Sequence, residues 1–164
     1  MSIPKVDLYS DRYDVPGKIY EHNPITMIRS AAAEEDNIPF GRALQLGTAS
    51  DKVKLFQSAT GTFVGVAGWS SQASDIDNSQ FDTYDSVPVV DQGVVLVYVE
   101  ESFRKGDPVR IRQTDHSTLV NGSFATTADS GYTAVLSGAT FMADSASGVV
   151  PLFLNPPFSI SADA

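Results

Sequence analysis

The sequence predicts an all-β fold: a single barrel-like or sandwich-like β domain with an extended N-terminal arm. Three observations carry this expectation. From residue 38 onward the apolar residues recur with period two, as they do on a half-buried strand. Glycine, asparagine, aspartate and serine clusters interrupt that pattern at short intervals, the spacing of turns in a sandwich or barrel. No long stretch carries the 3.6-residue periodicity of an amphipathic helix.

Residues 1–37 read differently from the rest and are assigned to the arm. Tyr9, Tyr13 and Tyr20 stand among Asp7, Asp11, Arg12 and Asp14, and Val15-Pro16-Gly17-Lys18 is a turn signal. Apolar alternation is poor here, so the segment is expected to extend over other surfaces. An ordered first hairpin of the same domain is the alternative. Ala31-Ala32-Ala33-Glu34-Glu35 has helical propensity but is too short to stand alone, and Pro39 follows closely, so at most one turn is expected.

The β-rich body is placed at 38–157. Ala43, Gln45 and Gly47 alternate with Leu44 and Leu46, and Val53 and Leu55 with Lys54 and Phe56. Val94 to Val99 is apolar on both faces, which reads as a strand buried on both sides or lying in an interface. Val109 and Ile111 alternate with Arg110 and Arg112, giving one buried and one wet basic face. Asn121-Gly122 is a type I′ hairpin signal. The segment 113–150 is rich in Ser, Thr, Ala, Gly and Asp, so its strands are expected to be short: Leu119-Val120, Tyr132 to Leu136, Thr140 to Met142. Val149 to Asn155 reads as a last strand, with Pro151 implying an edge or bulge. Pro156-Pro157 begins an exit, and 158–164 form a C-terminal tail.

Composition excludes several function classes. A length of 164 residues points to one main domain, able to remove roughly two-thirds of its unfolded surface from water. The net charge of −9 repels phosphates and argues against nucleic-acid partners. With no cysteine, disulfides, thiol catalysis and cysteine-based zinc sites are excluded. Met1 to Asp7 lacks the apolar core of a signal peptide, and no run approaches the ~20 apolar residues of a membrane span.

Catalytic patterns are equally absent. Gly61 to Gly68 is glycine-rich but lacks both the Lys-Ser/Thr ending of a phosphate loop and the dinucleotide fingerprint; close strand contact explains it better. The two histidines are His22 and His116; Gly-x-Ser-x-Gly is missing, and an Asp115-His116 pair is better read as a surface loop. Asp75-Ile76-Asp77-Asn78 lacks the glycine and distal glutamate of an EF-hand loop. Adjacent Glu100 and Glu101 would point to opposite faces of a strand. Asn121-Gly122-Ser123 is formally a glycosylation sequon that a hairpin turn accounts for. No catalytic residue, cofactor or metal is therefore assigned. Trp69 is read as a lid on the core, with an interface anchor as the alternative.

Ile38-Pro39-Phe40-Gly41-Arg42-Ala43, Phe63-Val64-Gly65-Val66-Ala67, Gly93-Val94-Val95-Leu96-Val97 and Gly106-Asp107-Pro108-Val109, in this order, resemble the cement (decoration) proteins of tailed-bacteriophage capsids. The similarity spans roughly 15–155 and is clearest over 38–112. The resemblance implies a non-enzymatic protein made in the host cytoplasm and placed on the outer surface of the icosahedral shell. There it would stabilise contacts between major capsid proteins, as a homotrimer, with no nucleic-acid or membrane partner. For such a role Tyr9, Arg12, Tyr13 and Tyr20 are the expected capsid contacts of the arm, since Tyr and Arg favour binding hot spots. Val95, Val97 and Val99 of the doubly apolar strand are the expected trimer interface. The alternative is a tail or head-fibre adhesion module that binds host glycans.

Overall fold

The computed structural model describes residues 15–21, 26–144 and 148–163. Twelve strands follow in chain order: β1 Ile19–Glu21, β2 Met27–Ala33, β3 Ile38–Pro39, β4 Ala43–Leu46, β5 Lys52–Leu55 and β6 Phe63–Ala67. A single 3₁₀ turn, Ile76–Asn78, precedes β7 Gln80–Phe81, β8 Ser86–Val99, β9 Arg110–Arg112, β10 Phe124–Ala125, β11 Thr133–Phe141 and β12 Gly148–Ala162. The chain is all-β, as its period-two patterning requires.

The strand pairings form two closed circuits that share β8. In the first, β8 pairs with β2, β2 with β5, β5 with β4, β4 with β6, and β6 returns to β8. In the second, β8 pairs with β12, β12 with β11, β11 with β9, β9 with β10, and β10 returns to β8. The division falls within β8: Ser86 to Gln92 pairs with β2, and Gly93 to Val99 with β12. Between them the register slips by one residue, since Met27 opposes Gln92 while Ile28 opposes Val90. Asp91 is thus the extra residue of a bulge, and Gly93 follows at φ +112°.

Each circuit has its own core. Val87 and Val89 of β8 pack with Leu44, Val53, Leu55 and the Phe40–Phe81 pair, whose ring centroids are 4.9 Å apart. The short β3–β7 ladder carries that aromatic pair across one end of the first circuit. Val95, Val97 and Val99 pack with Phe103, Ile111, Phe124, Phe141, Leu152 and Leu154 in the second. Full burial of such side chains is worth about 1.5–3 kcal/mol each relative to exposure.

Several expectations change. Ala31 to Ala33 end a strand rather than starting a helical turn, because pairing with β8 and β5 outweighs a propensity of tenths of a kcal/mol per residue. Within the 1–37 segment, Ile19–Glu21 and Met27–Ala33 are strands of the large sheet. The residues assigned to a C-terminal tail are strand: β12 continues to Ala162, paired with β11 as far as Ala134. The two short strands expected at 132–142 are one, β11, bulged at Gly138. Pro151 lies inside β12 rather than at an edge. Its carbonyl accepts from Met142 N–H just beyond the β11 ladder, so its missing donor falls at the last rung. Asn121-Gly122 turns the chain without making the I′ hairpin. Gly122 alone of the pair has positive φ, and Phe124 pairs with Ile111 and Val99 instead.

Gly65 shows why the glycine-rich stretch is structural. Its φ is +145°, and a Cβ there would lie 2.4 Å from the Val90 carbonyl oxygen. Gly65→Ala should therefore cost at least about 2 kcal/mol, from backbone strain plus a clash with rigid main chain. Chemical denaturation of the variant would check this; an unchanged midpoint would contradict the role of Gly65 in bringing β6 against β8.

Candidate interaction surface

The entry into the fold is built from backbone contacts. Gly17 N–H donates to Leu96 O at 2.7 Å, Leu96 N–H to Lys18 O at 2.8 Å, and Trp69 N–H to Gly17 O at 2.9 Å. The chain there is locked between β8 and the segment after β6. Gly17 has φ +81°, and a Cβ would fall 2.6 Å from Trp69 N, so glycine is required. Lys18 Nζ lies 5.6 Å from the Trp69 ring centroid, a cation–π contact. Trp69 itself is 43% exposed. It is not a core lid but one wall of a hollow of about 300 Å³ shared with Gly17, Ile28 and Pro88.

A second hollow, of about 380 Å³, lies at the mouth of the first circuit. Ala31, Val53, Val64 and Val89 line it more deeply, and Met27, Leu46 and Phe158 form its rim. Phe158 is braced edge-on against Phe63 at 4.9 Å. Arg29 Nε meets Asp91 Oδ2 at 2.6 Å on the same wall, while Asp91 Oδ1 is buried and has no hydrogen-bond partner among the described residues. One strand serves both hollows: Met27, Arg29, Ser30 and Ala31 line this one, with the alternate residues 27, 29 and 31 on one face of β2, and Ile28 lines the Trp69 hollow. Residues 27–30 are all exposed, with Met27 and Ile28 prominent on opposite faces.

Several polar clusters elsewhere are tied internally. Arg112, with a nearly buried side chain, is bracketed by Glu100 at 2.5 Å and Asp129 at 3.0 Å, and Ser123 Oγ donates to Glu100. The bond to Glu100 is the main cause holding the Arg112 pKa above its ordinary value. Arg112, expected on a wet basic face, is instead enclosed by these acids. His116 Nδ1 lies 2.9 Å from Asp129 Oδ2 and the ring stacks on Tyr132 at 4.0 Å. The His116 contact first, and then Arg112, hold the Asp129 carboxyl below its usual 3.8. Asp115 instead accepts from Asn121 N–H. Asp75 is taken by Asn78 and Gln80 side chains, and Glu101 by the backbone N–H groups of Thr126 and Thr127. These carboxylates staple loops.

The expected contact residues fall as follows. Tyr9, Arg12 and Tyr13 lie outside the described residues. Tyr20 is in β1 and is 39% exposed. Val95, Val97 and Val99 are fully buried in the second circuit's own core, because β8 is paired on both edges and turns these side chains inward. They have no surface to offer another copy; of the two readings of the doubly apolar strand, burial within the subunit is the one realised. Among the described residues, the exposed large apolar side chains are Tyr20, Met27, Ile28, Leu46, Trp69, Ile76, Tyr98, Val120 and, most of all, Tyr84. Sequence reasoning passed over Met27-Ile28, whose adjacency puts an apolar side chain on each face of one strand.

The model of a protein family described as structural cement protein (E217 gp24/Pam3 gp6) matches residues 9–155, nearly the whole sheet system described above. The chain belongs to this family. It is accordingly a structural protein of the phage virion, located on the capsid. Among solved structures it resembles a chain of the capsid of Myoviridae Phage XM1, with a TM-score of 0.71 and 18% identity. That likeness covers 94% of this chain and 98% of the other, and it shows a shared fold. No curated protein matches.

Two outcomes follow from the charge network. Glu100→Ala leaves Arg112 buried beside an empty site and should cost about 3–5 kcal/mol in a denaturant titration. A loss under about 1 kcal/mol would mean that Asp129 alone satisfies the guanidinium. Asp129, Glu34, Asp36 and Asp75 all have lowered carboxyl pKa values in the fold. Their stabilisation is present above the ordinary carboxylate range and is lost as pH falls through the lowered folded values. The thermal midpoint should be level from about pH 7 to 5 and fall below about pH 4; a midpoint rising on acidification would contradict the assignment.

Proposed function

We propose that this protein is a non-enzymatic cement that binds the major capsid protein on the outer face of the icosahedral shell and stabilises contacts between neighbouring capsid subunits. The observation that carries the reading is the family match across residues 9–155. The surface is consistent with it. Two apolar hollows flank the exposed start of β2, and Trp69, Ile28 and Met27 present the large side chains that anchor protein interfaces. The polar clusters that could be mistaken for chemistry are internally satisfied. We further propose that the working unit is a homotrimer, and that Tyr9, Arg12, Tyr13 and Tyr20 contact the shell. The trimer seam would be formed by exposed residues and not by the buried valines of β8. Many copies on one lattice reinforce individually weak contacts.

Capsids stripped of the protein provide the test. Full-length protein should saturate them at a fixed ratio, and light scattering of the free protein should give three chains of 17.5 kDa, about 50 kDa. Removing residues 1–14 leaves the Gly17 contacts with Leu96 and Trp69 in place, so the body should keep its thermal midpoint while shell occupancy falls at least tenfold. Undiminished occupancy would remove the arm from the contact. Trp69→Ala should lower occupancy while costing less than about 1 kcal/mol of stability, as exposed positions do.

A further inference from the structure

Among the described residues, β2 is partnered along Met27 to Ala32 by β8, but on its other edge by β5 at Ala32 and Ala33 alone. The ladder to β5 uses the main chain of even-numbered residues: Ala32 N–H donates to Asp51 O and Glu34 N–H to Val53 O. By alternation, the peptide groups of Ile28 and Ser30 point to the same side, where no described strand meets them. That unpartnered edge borders the 380 Å³ mouth of the first circuit, with Met27 and Leu46 exposed at its rim. An open edge beside an apolar hollow is the arrangement used for strand addition, in which main-chain bonds give affinity and pockets take alternate side chains.

The same chain contains a segment of matching pattern. Lys5-Val6-Asp7-Leu8 alternates charged and apolar residues, and Pro4 before it suits the first position of a strand. Fourteen residues precede Val15, where the described chain begins. The eight residues from Tyr9 to Pro16 can span about 26 Å when extended. The chain's own entry lies in the Trp69 hollow, on the Ile28 side of β2, whereas the mouth is on the Met27, Arg29 and Ala31 side. A neighbouring copy can present its N-terminus to that mouth directly; the chain's own would have to round the strand.

We propose that residues 4–8 of one copy add as a strand to the open edge of β2 in a second copy, with Val6 and Leu8 entering the mouth of its first circuit. The contact is heterologous, arm to groove, so repeating it by a closing rotation yields a ring of copies. Tyr9, Arg12 and Tyr13 then lie in the stretch bridging two copies, where the capsid reading would have them meet the shell. The proposal goes beyond that reading and does not need the shell, because the exchange takes place in free protein.

The absence of native cysteine makes the test direct. Full-length Leu8→Cys and Met27→Cys chains, carrying different tags, are mixed without capsids and oxidised. A disulfide between the two tags should form at least tenfold faster than when Tyr84→Cys, at the 82% exposed tyrosine, replaces Met27→Cys. Deleting residues 2–9 should reduce the scattering mass of the free protein to that of one chain, with the thermal midpoint retained. Cross-linking no faster than the Tyr84→Cys control overturns the proposal, as does an unchanged mass after deletion. Preferential closure within a chain carrying both cysteines also overturns it. Shell occupancy is read separately: cross-linking with empty shells would sink the capsid reading alone, and occupied shells without cross-linking would sink the exchange alone.

Discussion

The structure depends on β8. This 14-residue strand belongs to both circuits, and every other strand except the small β3–β7 ladder joins the sheet through it or through a partner of it. Shared membership imposes a steric problem, because a strand feeding two cores must turn its apolar side chains toward one and then the other. The bulge at Asp91 supplies the change of phase. Val87 and Val89 face the first core, and after the extra residue Val95, Val97 and Val99 face the second. Gly93 then allows the backbone to pass beside Thr26, whose Oγ1 would stand 2.9 Å from any Cβ there.

The valines of β8 are buried with a functional consequence: Val95, Val97 and Val99, enclosed in the subunit's own core, leave no side-chain surface for a partner. The large exposed side chains Met27 and Ile28 stand instead on the first half of β2, which is paired with β8 on one edge and separates two hollows. The charged residues take a different part. Arg112, Glu100, Asp129 and Ser123 close a network around the loops of the second circuit, and Asp36, Asp75 and Glu101 do the same for individual turns. The division is physically sensible: carboxylates and arginines tie the loops of the body to one another, while large apolar side chains stand exposed on β2.

How much of this was legible in the residues varies with the range of the interaction concerned. Period-two alternation around Leu44, Val53 and Ile111 identifies strands because it depends on nothing beyond one element. Glycines at Gly17, Gly41, Gly65 and Gly93 mark sharp or crowded backbone, and the structure gives each a positive φ. The family resemblance rests on the same local corners. By contrast, Ala31 to Ala33 read as a helical turn, residues 158–162 as a tail and Trp69 as core, and each reading fails for one reason. Helix or strand at Ala31 is decided by β8, more than fifty residues away in sequence; the strand at 158–162 is decided by β11; and the backbone of Trp69 is held by Gly17, about fifty residues before it.

The sequence by itself determined that this is an all-β, cysteine-free, acidic protein without a recognisable catalytic constellation, and that its corners follow the order of a cement protein. Those are properties of composition and of nearest neighbours along the chain. Only the tertiary structure decided which apolar strand is core and which is surface. Val95, Val97 and Val99 look more like an interface than Met27 and Ile28 do, yet the valines are enclosed and the β2 residues stand open. The physical reason is that exposure is not a property of a residue or its pattern. It follows from what pairs along each strand edge, and those partners are brought together across the whole length of the chain.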